Sequence, residues 1–151
     1  VANDRAAVAR ERLLVAAALH RVHKRALERV IYAAATEGGL SQRQISAIVG
    51  GAYPRPAVQR VLRRFGEDPG LLERGPAEVI DSRAAGLIDG DQMMDQLLNW
   101  TFSFGAVVRV AGAATDAYAT GDWDDVEMAF FRGLLDEQEF QLLAERHLKD
   151  R

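Results

Sequence analysis

Cysteine is absent from the 151 residues. Its absence excludes a disulfide framework, cysteine-ligated zinc and a thiol nucleophile, and it suits a reducing cytosol. Long apolar runs are missing as well. None approaches the roughly 18 residues of a transmembrane helix, and the first residues do not read as a signal peptide. A chain that opens on Val1 instead of methionine reads as trimmed or processed. Catalytic patterns are lacking: no Ser/His/Asp order, glycine-rich phosphate loop or pair of catalytic carboxylates stands out, so neither enzymatic activity nor a cofactor is expected. Proline and glycine do not occur between Arg5 and Thr36, which leaves that stretch without a helix breaker.

What is present is an ordinary globular composition, 48% hydrophobic and 27% charged. A chain of this length buries roughly 68–70% of its unfolded surface and needs no staples. The charge is unevenly spread, although the total is only −3. Residues 20–74 carry ten basic and five acidic side chains, whereas 75–151 carry six basic against fifteen acidic. Such a split predicts a basic part, 1–74, joined to an acidic part, 75–151.

Alanine, leucine, arginine and glutamate dominate from Arg5 to Thr36, and Gly38-Gly39 follow, which predicts one helix of about 30 residues. A break near Leu19–Arg21 is the competing expectation. Val8, Val15, Leu19, Val22, Ala26, Val30 and Ala33 trace an apolar stripe along it. Ser41 with Gln44 forms a capping box, opening a short helix over Gln42–Val49 with Ile45, Ile48 and Val49 inward. Gly50-Gly51 stop it. After Ala52-Tyr53-Pro54, a second helix runs from Pro56 to about Phe65, its inner face being Val58, Val61, Leu62 and Phe65.

The acidic part holds a faint repeat at an offset of 47 residues. Val79…Gly86-Leu87-Ile88-Asp89…Met93 aligns with Val126…Gly133-Leu134-Leu135-Asp136…Phe140. Each copy reads as helix, glycine cap, apolar pair, aspartate N-cap and second helix. Between the copies, Val107-Val108 suits either a short strand or a helical turn. The fold class expected is therefore all-α: a long N-terminal helix, two short helices and a set of helical hairpins.

The segment Leu40-Ser41-Gln42-Arg43-Gln44-Ile45-Ser46-Ala47-Ile48-Val49-Gly50, followed by Arg55-Pro56-Ala57-Val58-Gln59-Arg60-Val61-Leu62-Arg63-Arg64, resembles the helix-turn-helix of bacterial transcriptional regulators. It covers about 25 of the 151 residues. The resemblance implies a second helix lying in the major groove of double-stranded DNA. Arg55 and Gln59 are then the base readers, because arginine grips guanine and glutamine grips adenine bidentately. Arg43, Gln44, Arg60, Arg63 and Arg64 are the phosphate contacts. The turn before Val58 is about two residues longer than the family pattern.

Other constellations have plainer explanations. His20 and His23 sit among Arg21, Lys24 and Arg25, without an acidic partner for a metal. Asp122, Asp124, Asp125 and Glu127 suit the positive end of a helix as well as a hard cation. His147 stands alone. Trp100, Phe102, Phe104, Trp123, Phe130, Phe131 and Phe140 are expected to form a core, with Tyr118 and Trp123 as candidate interface anchors. The whole predicts a cytoplasmic, nucleoid-associated homodimeric regulator that binds DNA. The alternatives are an antitoxin whose acidic part covers a basic toxin, and a protein-interaction adaptor that binds no DNA. Helices and aromatics can enclose a ligand-sensing pocket, but no residue set names its ligand.

Overall fold

The computed structural model describes residues 2–119 and 121–149, with only the backbone for 106–110 and 114–119. The fold is helical, as the sequence predicts. Among the described residues it consists of α1 (Ala2–Thr36), α2 (Gln42–Val49), α3 (Arg55–Glu67), α4 (Pro76–Ala84), α5 (Gly90–Leu98), α6 (Trp123–Phe131) and α7 (Glu137–Leu148). A 3-10 turn, Pro69–Leu72, follows α3. The undecided stretch around Val107 is a strand: β1 (Ala106–Val110) pairs antiparallel with β2 (Ala113–Ala119). Ala111 and Gly112 both have positive φ at its two-residue turn, the backbone that a tight hairpin favours. Among the described residues no helix is long and apolar enough to cross a membrane.

Helix α1 is unbroken over 35 residues, about 52 Å at 1.5 Å per residue. The single long helix expected from the sequence is present, and the competing break near Leu19–Arg21 does not occur, because this stretch offers neither proline nor glycine to interrupt the hydrogen-bond ladder. The chain divides into two compact units, His20–Arg74 and Val1–Leu19 with Gly75–Arg151. The division expected from charge, 1–74 and 75–151, differs from this in the placing of residues 1–19.

Within Gly75–Arg151, two helical hairpins build one core. Helix α4 packs on α5 and α6, and α7 packs on the same two. Val79, Ile80, Met93, Leu97, Val126 and Leu143 are nearly or wholly excluded from water at the centre. The repeat seen in the sequence is a repeat of capping. Gly86 and Gly133, with φ of 79° and 76°, each end a helix in the left-handed conformation that glycine adopts without strain. The bond from Leu87 N–H to Ser82 O (2.9 Å) has its counterpart from Leu134 N–H to Ala129 O (2.9 Å), the six-to-one closure of a Schellman motif. Asp89 with Gln92 and Asp136 with Glu139 then form matching capping boxes.

The two hairpins differ where their side chains meet the core. Arg83 donates to Glu139 through two nitrogens (3.3 and 3.1 Å) and to Leu134 O (3.2 Å). Phe130, its counterpart at the same offset, stacks on Phe140 at 4.5 Å. Trp123 is buried and packs against Phe102, so it belongs to the core and not to an interface. Phe131 departs from the expected core: it is 82% exposed, because α6 turns Val126 and Ala129 inward and leaves this position on its outer side. The side chain of Tyr118 lies outside the described residues.

Asp136 caps α7 through its bond from Glu139 N–H (2.7 Å). Replacing Asp136 with alanine should lower stability by about 1 kcal/mol. Urea denaturation should show an earlier midpoint and an unchanged slope.

Candidate nucleic-acid interface

The basic unit is organised by three helices and one tyrosine. Ile31, Ile45, Tyr53, Val58, Val61 and Phe65 form its core. Helix α2 begins at a capping box in which Ser41 Oγ accepts from Gln44 N–H (3.1 Å) and Gln44 Oε1 accepts from Ser41 N–H (2.9 Å). Helix α3 begins after Pro54, with Pro56 in its first turn, where no N–H is needed. The turn between them is held by the bond from Ser46 Oγ to Tyr53 O (2.8 Å) and that from Tyr53 N–H to Gly50 O (3.0 Å). The turn thus places Tyr53 in the core.

The face that α1 offers to this core differs from the predicted stripe. Ile31 is buried and Glu28 is only 4% exposed, whereas Val30 of the stripe is 64% exposed and Ala26 also faces water. The buried face is turned from the stripe by about 100°, one residue's step around a helix. What selects it is contact with α3: Tyr32 packs on Phe65 with ring centroids 5.6 Å apart, and Glu28 meets Arg64. In α2, Ile45 is buried as expected, but Ile48 is 74% exposed. Position 48 lies three residues past Ile45 on a helix too short to bury both sides of its apolar arc.

The Glu28 carboxylate accepts from Arg64 Nη2 at 2.7 Å and has the Tyr53 hydroxyl beside it. An almost fully buried carboxylate requires such partners, since an unanswered charge away from water is costly. Burial, the negative Glu28 beside it and the hydrogen bond to Glu28 raise the Tyr53 hydroxyl above its ordinary value of 10.0, with Arg64 opposing. Nothing in the local sequence marked Glu28. It stands in a run of basic residues, and its partner lies 36 positions away.

The outer face of α3 is different in kind. Arg55, Gln59, Arg60 and Arg63 are all exposed, as are Arg43 and Gln44 at the start of α2. Among the described residues Arg43, Arg55, Gln59, Arg60 and Arg63 take no internal polar partner, so their donors face water. Gln44 spends its side-chain oxygen on the capping box and retains its amide donors. Arg64 stands apart from this set. Its side chain is half exposed, but its charge is answered by Glu28 and its guanidinium lies 5.2 Å from the Phe65 ring centroid.

The other candidate constellations resolve into local structure. The Asp122 carboxylate accepts from Ser103 N–H (2.6 Å), Ser103 Oγ (3.0 Å) and Trp100 Nε1 (3.2 Å). Asp124 accepts from Gly121 N–H, and Glu127 from Trp123 Nε1. These carboxylates therefore clasp the base of the β1–β2 hairpin and the start of α6. His147 is bonded to Leu97 O (2.8 Å) and packs edge-on to Phe102. Among the described residues no three metal-ligating side chains gather. Comparison with protein families, curated proteins and solved structures returns no match.

The raised Tyr53 value carries a sign. Folded protein holds the hydroxyl proton beyond pH 10 while the unfolded chain releases it. The associated stability is fully present below about pH 10 and is lost as pH rises through the folded value. Wild type should therefore lose stability in urea as pH rises above 10, and Tyr53→Phe should not show this loss.

Proposed function

We propose that the protein is a sequence-specific DNA-binding regulator of the helix-turn-helix kind, with α3 in the major groove. The observation that carries this reading is the outer face of α3. Arg55, Gln59, Arg60 and Arg63 stand exposed along one side of a helix whose other side is locked into a core by Val58, Val61 and Phe65. A rigid helix that presents long hydrogen-bond donors matches the width of the groove and the donor–acceptor pattern of base edges. Arg55 and Gln59, in the first turns of α3, are assigned to bases. Arg43, Gln44, Arg60 and Arg63 are assigned to phosphates, with Arg64 at their margin because Glu28 already neutralises it.

A homodimer completes the reading, since two copies place two recognition helices about one turn of DNA apart on a palindromic site. A protein partner for the acidic unit is the second reading, that of an antitoxin. Exposed Phe131 and Met128, three residues apart on α6 near Asp125 and Glu127, favour it, since an aromatic anchor among acidic groups suits a basic partner.

Binding to labelled duplexes across a salt series tests the main reading, with the preferred site selected from a random pool. Affinity should fall steeply with salt. Arg63→Ala should weaken every sequence and flatten the logarithmic salt slope by roughly one unit, whereas Gln59→Ala should relax preference at one base pair. Absence of binding at low salt would refute it. In sedimentation, the protein should run as a dimer at tens of micromolar; a monomer there would remove the palindromic expectation.

A further inference from the structure

Three elements of the basic unit converge on one carboxylate. Glu28 on α1 is almost excluded from water, receives Arg64 of α3 at 2.7 Å and lies beside the buried Tyr53. Tyr53 ends the long turn, and its carbonyl is tied to α2 through Ser46 at 2.8 Å. The chain of contacts runs α1–turn–α2 on one side and α1–α3 on the other. Arg64 lies one residue after Arg63 and flanks the outer face of α3, while Tyr53 lies two residues before Arg55, where that face begins. Rotation or sliding of α3 against α1 strains the contact between Arg64 and the buried Glu28 carboxylate. A shift of the first turn of α3 strains the contact at Tyr53.

We infer that Glu28 is a positioning residue for base recognition, fixing the rotation and tilt of α3 through Arg64 and Tyr53 while touching no DNA itself. This rests on the DNA-binding reading. Base-edge hydrogen bonds tolerate little displacement, whereas phosphate contacts through long cationic side chains adapt to it. A buried carboxylate with a guanidinium on one oxygen and a phenol beside it supplies the required rigidity. It also accounts for the added turn residues, which place Tyr53 within reach of Glu28. Loosening the carboxylate should therefore erode discrimination between sequences and spare general affinity for duplex DNA.

The experiment compares wild type, Glu28→Gln, Tyr53→Phe and the double variant. Each is titrated with the selected duplex and with a shuffled duplex of equal composition, and the folded fraction is followed by circular dichroism. Glu28→Gln should lose about tenfold in affinity for the selected duplex. Its affinity for the shuffled duplex should hold or rise slightly, because Arg64 is released from its internal anion. Tyr53→Phe should lose a smaller factor in the same direction, and the double variant should be no worse than Glu28→Gln alone. Tyr53→Phe removes one hydroxyl only, so it carries the test if Glu28→Gln does not fold. Equal losses on both duplexes, in proportion to the unfolded fraction, would overturn the inference and leave a structural ion pair. So would wild-type discrimination in both folded variants. Wild type that binds both duplexes equally overturns the inference alone, and wild type that binds neither overturns it together with the DNA-binding reading.

Discussion

A carboxylate removed from water has to be matched by a cation or by donors, and in the basic unit that requirement falls on Glu28. Its partners come from α3 and from the turn before α3, so satisfying one charge fixes three segments at once. The apolar core of Ile31, Ile45, Tyr53, Val58, Val61 and Phe65 supplies most of the favourable burial. Packing of that kind is non-directional and tolerates small rotations. The ion pair is directional, and with Glu28 in its proposed positioning role it selects one rotation of α3 among those the core would accept.

With α3 held in this way, its outer face becomes a display of donors. The cations there have water on their far side and a rigid helix beneath them, so their charge is available for an external anion. Arg64 illustrates the distinction within one element: adjacent to Arg63 in sequence and half exposed, it is answered by the buried Glu28. The acidic unit follows another logic. Its buried apolar positions come from two helical hairpins with the same caps, and its carboxylates near Asp122 are taken up by Trp100, Ser103 and backbone N–H groups. Its most exposed large apolar side chain among the described residues is Phe131 on α6.

Local chemistry was readable from the sequence, and tertiary choice was not. The bounds of α2, its capping box, both glycine caps and the aspartate N-caps are set by residues within four positions of each other, so the letters sufficed. Apolar periodicity points to the wrong face of α1, because it assumes that the apolar side is the covered one. Contact with α3 instead buries Glu28 and leaves Val30 outside. Ile48 and Phe131 fail for the same reason, each being apolar on a short helix whose covered side is decided by its neighbours. Glu28 left no mark at all, since its role depends on Arg64, 36 residues away. The exposed set on α3 was legible, because the inward positions Val58, Val61 and Phe65 define the opposite face by spacing alone.

The most direct test of the account is a map of backbone amide shifts in the protein's NMR spectrum as a duplex is added at low salt. The account predicts that perturbations gather at residues 42–44 and 55–64, with residues 75–149 little changed. Perturbations concentrated in the acidic unit, or none anywhere at saturating duplex, would contradict it.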